Sequence, residues 1–367
     1  MESASGTTIA QIAKEAGVSI GTVSRVLNGK HKNAWPSAAR RAQSIVDIAA
    51  RLNYRPSWAA RAMAQRKSHM VGVVVRNAPD RKFIFLQAFE TMLGINDCLA
   101  SADFMLSLVH LAELGDESDE VPRVFRENIL DGMIVLGGDM PEVIERKLKR
   151  IHNSVAPCLW VENNQWRATG CLHRDEVHAA QLAVEQLAQA GYRKLIWVGP
   201  SADVTQHYSV RERERGVRET AEALGLPVVW RHMGREPYYD QLKALCRDEP
   251  LSPDTAILAS GARHATTLAL AAGETGRLLG RDLGLACCDD SQQISAMFPT
   301  LSRVSFDRYQ LGVTAAQMLL ATIGGDELGM KSRRVRGQWI AGTTASGSAA
   351  APGSATAPGR DATTQQD

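Results

Sequence analysis

The run TIAQIAKEAGVSIGTVSRVLNG at residues 8–29 decides the architecture of the first part of this chain. Its apolar residues recur three and four positions apart on both sides of Gly17, which is the spacing of helix faces. Gly17 can take the positive φ of a tight turn, and Thr8 and Ser19 are of the type that caps helix N-termini. The run therefore predicts two short helices, about 9–15 and 20–27, joined as in a helix-turn-helix unit.

Positive charge is concentrated in the same region. Residues 1–68 hold eleven Lys or Arg and three acids, a net charge of +8 (11 − 3), whereas the whole chain is +2 and the remainder is −6 (2 − 8). A basic segment on an acidic body indicates that the segment binds a polyanion. Pro36 suits the first turn of a third helix, which Tyr54-Arg55-Pro56 ends. A solubilising tail would lack this apolar periodicity, but a generic three-helix bundle stays open as an alternative.

Composition excludes several classes of protein. The 367 residues allow two or three domains, and neither a run of eighteen apolar residues nor a secretion signal is present in the sequence. The six cysteines are scattered without CxxC spacing, which indicates free thiols in a reducing cytosol. We therefore expect a cytoplasmic protein that does not insert in a membrane.

From Met70 to Ile340, short β-like runs alternate with amphipathic helical stretches. Such alternation indicates parallel sheets that are covered by helices on both faces. The runs are too many for one small sheet, so we expect an α/β body of two Rossmann-like lobes, with a ligand between them at the carboxyl ends of the strands. The predicted strands are 70–75, 104–109, 132–136, 158–161, 194–199, 255–259, 283–288 and about 304–306.

Motifs that would indicate catalysis are missing from the sequence. It has no GxGxxG, GxxxxGK[ST], HExxH or GxSxG motif, and its histidines are scattered. We therefore predict no enzymatic activity, no cofactor and no metal site. Residues 343–367 are rich in Ala, Gly, Ser, Thr and Pro with almost no apolar bulk, which predicts a disordered tail.

Residues 8–29 and the segment NYRPSWAARAM at 53–63 resemble the lactose- and galactose-repressor family of bacterial transcription factors. The resemblance implies an N-terminal all-α helix-turn-helix DNA-binding domain at 1–56, a hinge helix or linker at 57–69, and a two-lobed effector-binding and dimerisation domain at 70–342 that is like a periplasmic binding protein. It further implies a homodimer, or a tetramer, that binds a palindromic double-stranded DNA operator and a small-molecule effector. Such a protein would act as a repressor on the nucleoid.

Carried over position by position, the resemblance places DNA contacts on the second helix and on the hinge. Arg25 could donate two hydrogen bonds to guanine, and Ile20 could touch a thymine methyl group. Met63 stands where the family carries a Leu that is wedged between base steps of the minor groove, although residues 57–68 could also be a plain linker. Between Gly29 and Tyr54 this chain has more residues than the family usually has, and we interpret the extra residues as a longer loop. The implied DNA-contacting residues are Ser19, Ile20, Gly21, Thr22, Ser24, Arg25, Asn28, Tyr54, Ser57, Arg61 and Met63.

The resemblance also implies effector-binding residues in the body. Arg213 matches an arginine that holds the small ligand in many members, and its planar fork suits vicinal hydroxyls or a carboxylate. The run RERER around it alternates in sign, so an exposed helix charge is the alternative. Asp289 matches an acid that could accept hydrogen bonds from a sugar, or it is simply an acid after a strand. Glu162 stands where members often carry Asp, and Ser260 replaces a family Asn at a ligand contact.

Two alternatives to a ligand-responsive regulator stay open. The exchange at Ser260 is compatible with an architectural DNA-bending protein that has lost effector binding. A sugar-handling enzyme with a DNA-binding head is the other alternative, and the missing catalytic motifs argue against it.

Overall fold

The computed structural model describes residues 7–27, 36–56, 62–63, 67–75, 82–110, 124, 127, 129–137, 146, 148, 157–201, 207–234 and 237–347. The chain divides into two compact units, Met1–His69 and Met70–Asp367. Within the described ranges, no helix is long and apolar enough to cross a membrane.

The first unit packs three helices around one apolar cluster. Ile12, Val23 and Ile45, one from each helix, are fully buried at its centre. The periodicity of the sequence predicted these helices, and their bounds are α1 Ile9–Glu15, α2 Ile20–Leu27 and α3 Pro36–Arg51.

The helix ends follow the capping residues that the sequence indicated. The Thr8 hydroxyl accepts a hydrogen bond from the Gln11 backbone N–H, and the Gln11 side chain accepts one from the Thr8 N–H, which completes a capping box. Gly17 turns the chain with a φ of +64°, and the Ser19 hydroxyl accepts from the Thr22 N–H at 3.2 Å. Both caps and the turn are thus formed as predicted.

The third helix ends before the predicted stop at Tyr54. Asn53 leaves the helix with a φ of +47°, a conformation that Asn tolerates better than most residues. This reversal turns Tyr54 back onto the three-helix cluster, where its ring is half-buried. In the predicted hinge segment 57–69, Ala62 and Met63 are helical and residues 67–69 are not; the others lie outside the described residues.

The second unit contains two six-stranded sheets, one in each lobe. The strand order is β11-β5-β4-β3-β1-β2 in the first lobe and β12-β10-β9-β8-β6-β7 in the second. All described pairings between these strands are parallel except that of β10 with β12, so the α/β fold with mainly parallel sheets is confirmed. The strands are β1 Met70–Val75, β2 Met105–His110, β3 Gly132–Leu136, β4 Cys158–Val161, β5 Cys171–Arg174, β6 Lys194–Pro200, β7 Val228–Met233, β8 Thr255–Ala259, β9 Gly284–Cys287, β10 Ser302–Ser305, β11 Arg333–Val335 and β12 Gln338–Ile340.

Helices cover both sheets, and the chain passes between the lobes three times. The helix that follows β5 packs on the second lobe through Ala183 and Leu187, whereas the helix that follows β10 returns to the first lobe through Leu311 and Leu319. The third passage joins β11 to β12. Among the described residues of the second unit, the α-helices are α4 Lys82–Ser101, α5 Glu176–Gln189, α6 Tyr208–Ala223, α7 Tyr239–Asp248, α8 Ala262–Glu274, α9 Gln292–Met297 and α10 Arg308–Ile323.

Helices α4 and α10 approach so closely that only glycine fits at their crossing. A Cβ atom on Gly94 would lie 2.0 Å from the Tyr309 carbonyl oxygen, and one on Gly312 would lie 2.0 Å from that of Thr91. The two backbones are therefore in direct contact, and the first lobe is tightly packed on this face.

The predicted tail begins too early. Residues 343–347 belong to the second lobe, because the Thr344 hydroxyl donates to the Leu285 carbonyl at 2.8 Å and accepts from the Ser302 N–H at 2.9 Å. Ala345 is buried in the core of that lobe. Small and hydroxylated residues can thus be ordered when neighbouring strands, here β9 and β10, offer hydrogen-bond partners, which composition does not show. Residues 348–367 lie outside the described part of the chain. The six cysteines are free thiols, as expected.

Candidate functional site

Helix α2 packs on the core of the first unit with one face and exposes the opposite face to solvent. Val23 and Val26 are buried, whereas Ile20, Gly21 and Arg25 are exposed on the opposite side. Burial of the apolar stripe fixes the orientation of this helix and leaves the predicted base-reading residues accessible. The Arg25 side chain rests against its own helix, with Nε donating to the Gly21 carbonyl at 3.3 Å.

The remaining predicted DNA contacts are placed as follows. Ser19 is exposed at the N-terminus of α2, while Thr22 and Ser24 are half-buried on the same helix. Met63 is 83% exposed, and its role as a wedge stays a prediction. Asn28, Ser57 and Arg61 lie outside the described residues.

In the second unit, the carboxyl ends of four strands bring polar residues together between the lobes. Glu162 follows β4 and Arg174 ends β5 in the first lobe, while Ser260 follows β8 and Asp289 follows β9 in the second. Arg213 reaches them from α6, and all five residues are buried. The sequence-predicted effector residues are therefore brought to one place, as parallel sheets require.

Arg213 is locked by protein partners. Its Nε and Nη2 atoms donate to Oε2 and Oε1 of Glu176 at 2.7 and 2.9 Å, in the bidentate geometry that a guanidinium forms with a carboxylate. Nη2 also lies 3.3 Å from Oδ2 of Asp289, and Nη1 donates to the Ser260 carbonyl. With 4% exposure, Arg213 is not the surface charge that the alternating RERER run suggested.

Two further arginines complete the cluster. Arg174 Nη1 lies 2.7 Å from Asp289 Oδ1, its Nη2 lies 3.0 Å from Glu176 Oε1, and its Nε pairs with Glu162. Arg308 Nη2 lies 2.8 Å from Asp289 Oδ1, and its Nη1 lies 3.6 Å from Glu162 Oε1. Three arginines thus face three carboxylates with a formal charge of zero. We call this set the inter-lobe network; its members are Arg174, Arg213, Arg308, Glu162, Glu176 and Asp289.

The network joins the two lobes. Asp289 belongs to the second lobe, whereas Arg174 and Arg308 belong to the first, so both of their ion pairs with Asp289 cross the boundary. A further pair crosses at the rim, where Arg334 of β11 holds Glu212 of α6 at 2.7 and 2.9 Å. These contacts couple the position of one lobe to that of the other.

The arginines of the network favour the ionised forms of Asp289 and Glu162. Burial alone would raise the pKa of Asp289, but the charges of Arg174, Arg308 and Arg213 outweigh burial and hold the pKa well below its usual range. The pKa of Glu162 is also lowered overall, because Arg174 and Arg308 outweigh its burial. The backbone of Glu162 has a φ of +51°, which is uncommon for a residue with a side chain and often marks a functional position.

An uncharged aromatic wall lies beside the network. The His173 ring stacks on Tyr208 with centroids 4.3 Å apart, and Trp166 packs against it at 5.0 Å. Burial, followed by the charge of Arg334, lowers the pKa of His173 to about 4, so the ring is neutral at physiological pH. The guanidinium of Arg334 covers the Trp166 ring at 4.5 Å.

Sequence reasoning missed three members of the network. Arg174 and Arg308 could have been noticed, because charged residues at strand ends of a parallel sheet meet at one edge. Glu176 carried no such signal, since an acid in the first turn of a helix is ordinarily explained by the helix dipole. In the described part of the chain, no group of three or more His, Cys, Asp or Glu could hold a metal ion.

Comparison with protein families divides the chain in the same way. Residues 8–57 match the DNA-binding model described as bacterial regulatory proteins, lacI family. Residues 184–345 match the model of a periplasmic binding protein-like domain.

Relatives and solved structures agree with this division. Catabolite control protein A of Streptococcus mutans is 28% identical over 322 residues, which cover 88% of this chain and 92% of the relative. Catabolite control protein A of Staphylococcus xylosus is 25% identical over 326 residues, which cover 88% of this chain and 94% of the relative. The crystal structure of the lac repressor dimer bound to operator and the anti-inducer ONPF has a TM-score of 0.72 at 18% identity, covering 93% of this chain and 99% of that one. The complex of the transcriptional regulator CelR with cellobiose has a TM-score of 0.60 at 19% identity, covering 92% and 99%. These structural likenesses concern the fold.

Proposed function

We propose that this chain, which belongs to the lacI family of bacterial regulatory proteins and is a DNA-binding transcriptional regulator, represses genes through a palindromic operator. A small effector would lower or raise its affinity for that operator. The protein would act in the cytoplasm, on the nucleoid. Its relatives are regulators and its sequence lacks catalytic motifs, so we propose that it catalyses no reaction.

The exposed face of α2 supports the DNA-binding half of this proposal. Arg25 lies on the exposed side of a helix whose opposite side is fixed in the core, so its side chain can leave the Gly21 carbonyl and enter the major groove without movement of the helix. A guanidinium reads guanine by two parallel hydrogen bonds, and Ile20 offers apolar contact to a thymine methyl. Ser19, at the helix N-terminus, suits a backbone phosphate.

The convergence of polar residues between the lobes supports the effector half. The carboxyl ends of parallel strands are where α/β proteins bind ligands, and the cellobiose complex of a similarly folded regulator makes a sugar-like effector the first candidate. An effector in contact with both lobes would bind one lobe arrangement better than another. It would thereby shift the population that can bind the operator.

A homodimer is the proposed active form, with a tetramer as the alternative. Two half-sites of a palindrome require two heads, which a two-fold axis would relate. The first lobe exposes apolar residues that such a contact could cover: Phe89 and Leu93 on α4, and Met105 and Leu108 on the edge strand β2. The lac repressor structure with the similar fold is itself a dimer.

The test is selection of bound genomic fragments by the full chain, followed by fluorescence anisotropy on the selected site. We expect preference for a palindromic site over competitor DNA at moderate salt, and a change in affinity with at least one sugar, nucleoside or sugar acid. Sedimentation of the complex would distinguish dimer from tetramer. Equal affinity for all sequences, with and without those metabolites, would refute the proposal.

A second candidate is a regulator that does not respond to an effector. The observation in its favour is that every guanidinium nitrogen of Arg213 is already engaged by the protein. A thermal-shift screen decides between the two, because a ligand that binds the folded state must raise its melting temperature.

A further inference from the structure

We infer that Glu176 is a built-in anion that occupies the fork of Arg213 and thereby restricts this regulator to uncharged effectors. The inference rests on the proposed effector site and decides between the two ligand groups, hydroxyls or a carboxylate, that a guanidinium fork could hold.

The geometry of the Arg213–Glu176 pair is that of ligand recognition. Two nitrogens of one guanidinium meet two oxygens of one carboxylate at 2.7 and 2.9 Å, which is how arginine binds a carboxylate or phosphate of a substrate. Glu176 is fully buried, so its carboxylate cannot swing into solvent to make room. It is held there by the first turn of α5, whose N-terminus favours negative charge.

The other two arginines of the inter-lobe network offer no alternative anion site. Arg174 and Arg308 both pair with Asp289 and Glu162, and Arg174 also reaches Glu176. The network is therefore neutral as it stands. A carboxylate or phosphate entering it would leave an unpaired negative charge in a buried site, whereas hydroxyl groups would exchange hydrogen bonds without changing the charge balance.

The aromatic side chains beside the network, His173, Tyr208 and Trp166, are also uncharged. His173 is neutral, and the phenol of Tyr208, whose pKa burial raises, is neutral as well. The His173 ring is buried against Tyr208 and Trp166, and the guanidinium of Arg334 that covers the Trp166 ring is paired with the carboxylate of Glu212. Charge neutrality thus extends over the part of the boundary that these side chains form.

The decisive experiment compares Glu176→Ala with Glu176→Gln in sodium acetate, with sodium chloride at equal ionic strength as the reference. Glu176→Ala removes the built-in anion and leaves space for acetate, whereas Glu176→Gln loses the charge but fills the space. We expect acetate to raise the melting temperature of Glu176→Ala saturably, by about 2–4 °C, and to leave Glu176→Gln and the unsubstituted protein at their chloride values. Absence of the gain in Glu176→Ala, or an equal gain in the unsubstituted protein, would overturn the inference.

A second measurement needs no folded Glu176 variant. Glucuronate should leave the melting temperature of the unsubstituted protein at the chloride value. A saturable gain that Arg213→Gln removes would show that the fork does accept a ligand carboxylate, and would overturn the inference.

Failure of this inference and failure of the proposed function are distinguishable. Operator affinity of the unsubstituted protein reports on the function without any contribution from acetate or glucuronate. A specific operator complex together with glucuronate binding at Arg213 would refute the inference about Glu176 but leave the proposed function supported.

Discussion

Removal of the Asp289 charge is the most direct perturbation of the inter-lobe network. Asp289→Asn keeps the shape of the side chain but removes the carboxylate that three arginines share, at 2.7 Å from Arg174, 2.8 Å from Arg308 and 3.3 Å from Arg213. The network would then hold three positive and two negative charges in a buried site. Loss of one partner from such a cluster typically costs about 3–5 kcal/mol, because an uncompensated charge remains away from water.

A loss of this size is a large fraction of a total stability of about 5–15 kcal/mol. Urea unfolding followed by tryptophan fluorescence measures it well, because Trp160 in the first lobe and Trp197 in the second are both buried and report on each lobe. We expect the midpoint to fall without a change in slope, since the same surface is exposed on unfolding. Lowering the pH below about 4 should reproduce part of the loss in the unsubstituted protein, because the Asp289 carboxylate then takes up a proton in the unfolded chain but, with its depressed pKa, not yet in the folded protein.

The matched control is Asp248→Asn. Asp248 also pairs with an arginine, Arg247, but both side chains are exposed, so we expect no measurable change in the urea midpoint. The double variant of Asp289→Asn with Arg308→Gln restores charge balance and should lose less than the sum of the single losses. If Asp289→Asn changed stability by no more than the control, the network would not hold the lobes as we argue.

Three further predictions address DNA and pH. Arg25→Ala should weaken the cognate operator by roughly 1–3 kcal/mol in anisotropy titrations while leaving random DNA nearly unaffected; equal weakening of both would exclude base reading. Met63→Ala should reduce operator bending in gel mobility assays of circularly permuted fragments, and unchanged mobility would exclude the wedge. Because burial lowers the folded-state pKa of His173 to about 4 from an ordinary 6.5, its contribution to stability is complete above pH 6.5 and is lost as the pH falls towards 4. His173→Phe, which keeps a ring against Tyr208, should therefore flatten the decline between pH 6.5 and 4 by up to roughly 3 kcal/mol; an unaltered decline would show that other groups cause it.

The sequence predicted those elements whose own residues determine them. Strands such as β3, β4 and β8 are continuous apolar runs because both faces of their sheets are covered, and their predicted bounds agree with the structure. Strand β5 was missed because its run CLHR ends in two polar residues that serve the lobe boundary. Strands β11 and β12 have three residues each and are largely exposed, so their pattern carries no information about pairing.

The site was predicted only as far as the resemblance to a family reached. Arg213, Asp289, Glu162 and Ser260 were named from matching positions, and they do lie together. The partners of these residues could not be predicted, because they come together only in the folded chain. Glu176, for example, has the sequence position of an ordinary acid in the first turn of a helix. The roles of these side chains towards an effector and of the α2 residues towards DNA stay predictions until the variants above are measured.

The threefold passage of the chain between the lobes has a consequence for synthesis on the ribosome. The first lobe needs α10 and β11, which are made only after most of the second lobe. Roughly 130 residues separate the end of β5 from α10, which at roughly 5–20 residues per second is a delay on the order of 10 s. Throughout that interval the nascent first sheet lacks its final covering helix and edge strand, so it is during translation that we expect this regulator to depend most on chaperones.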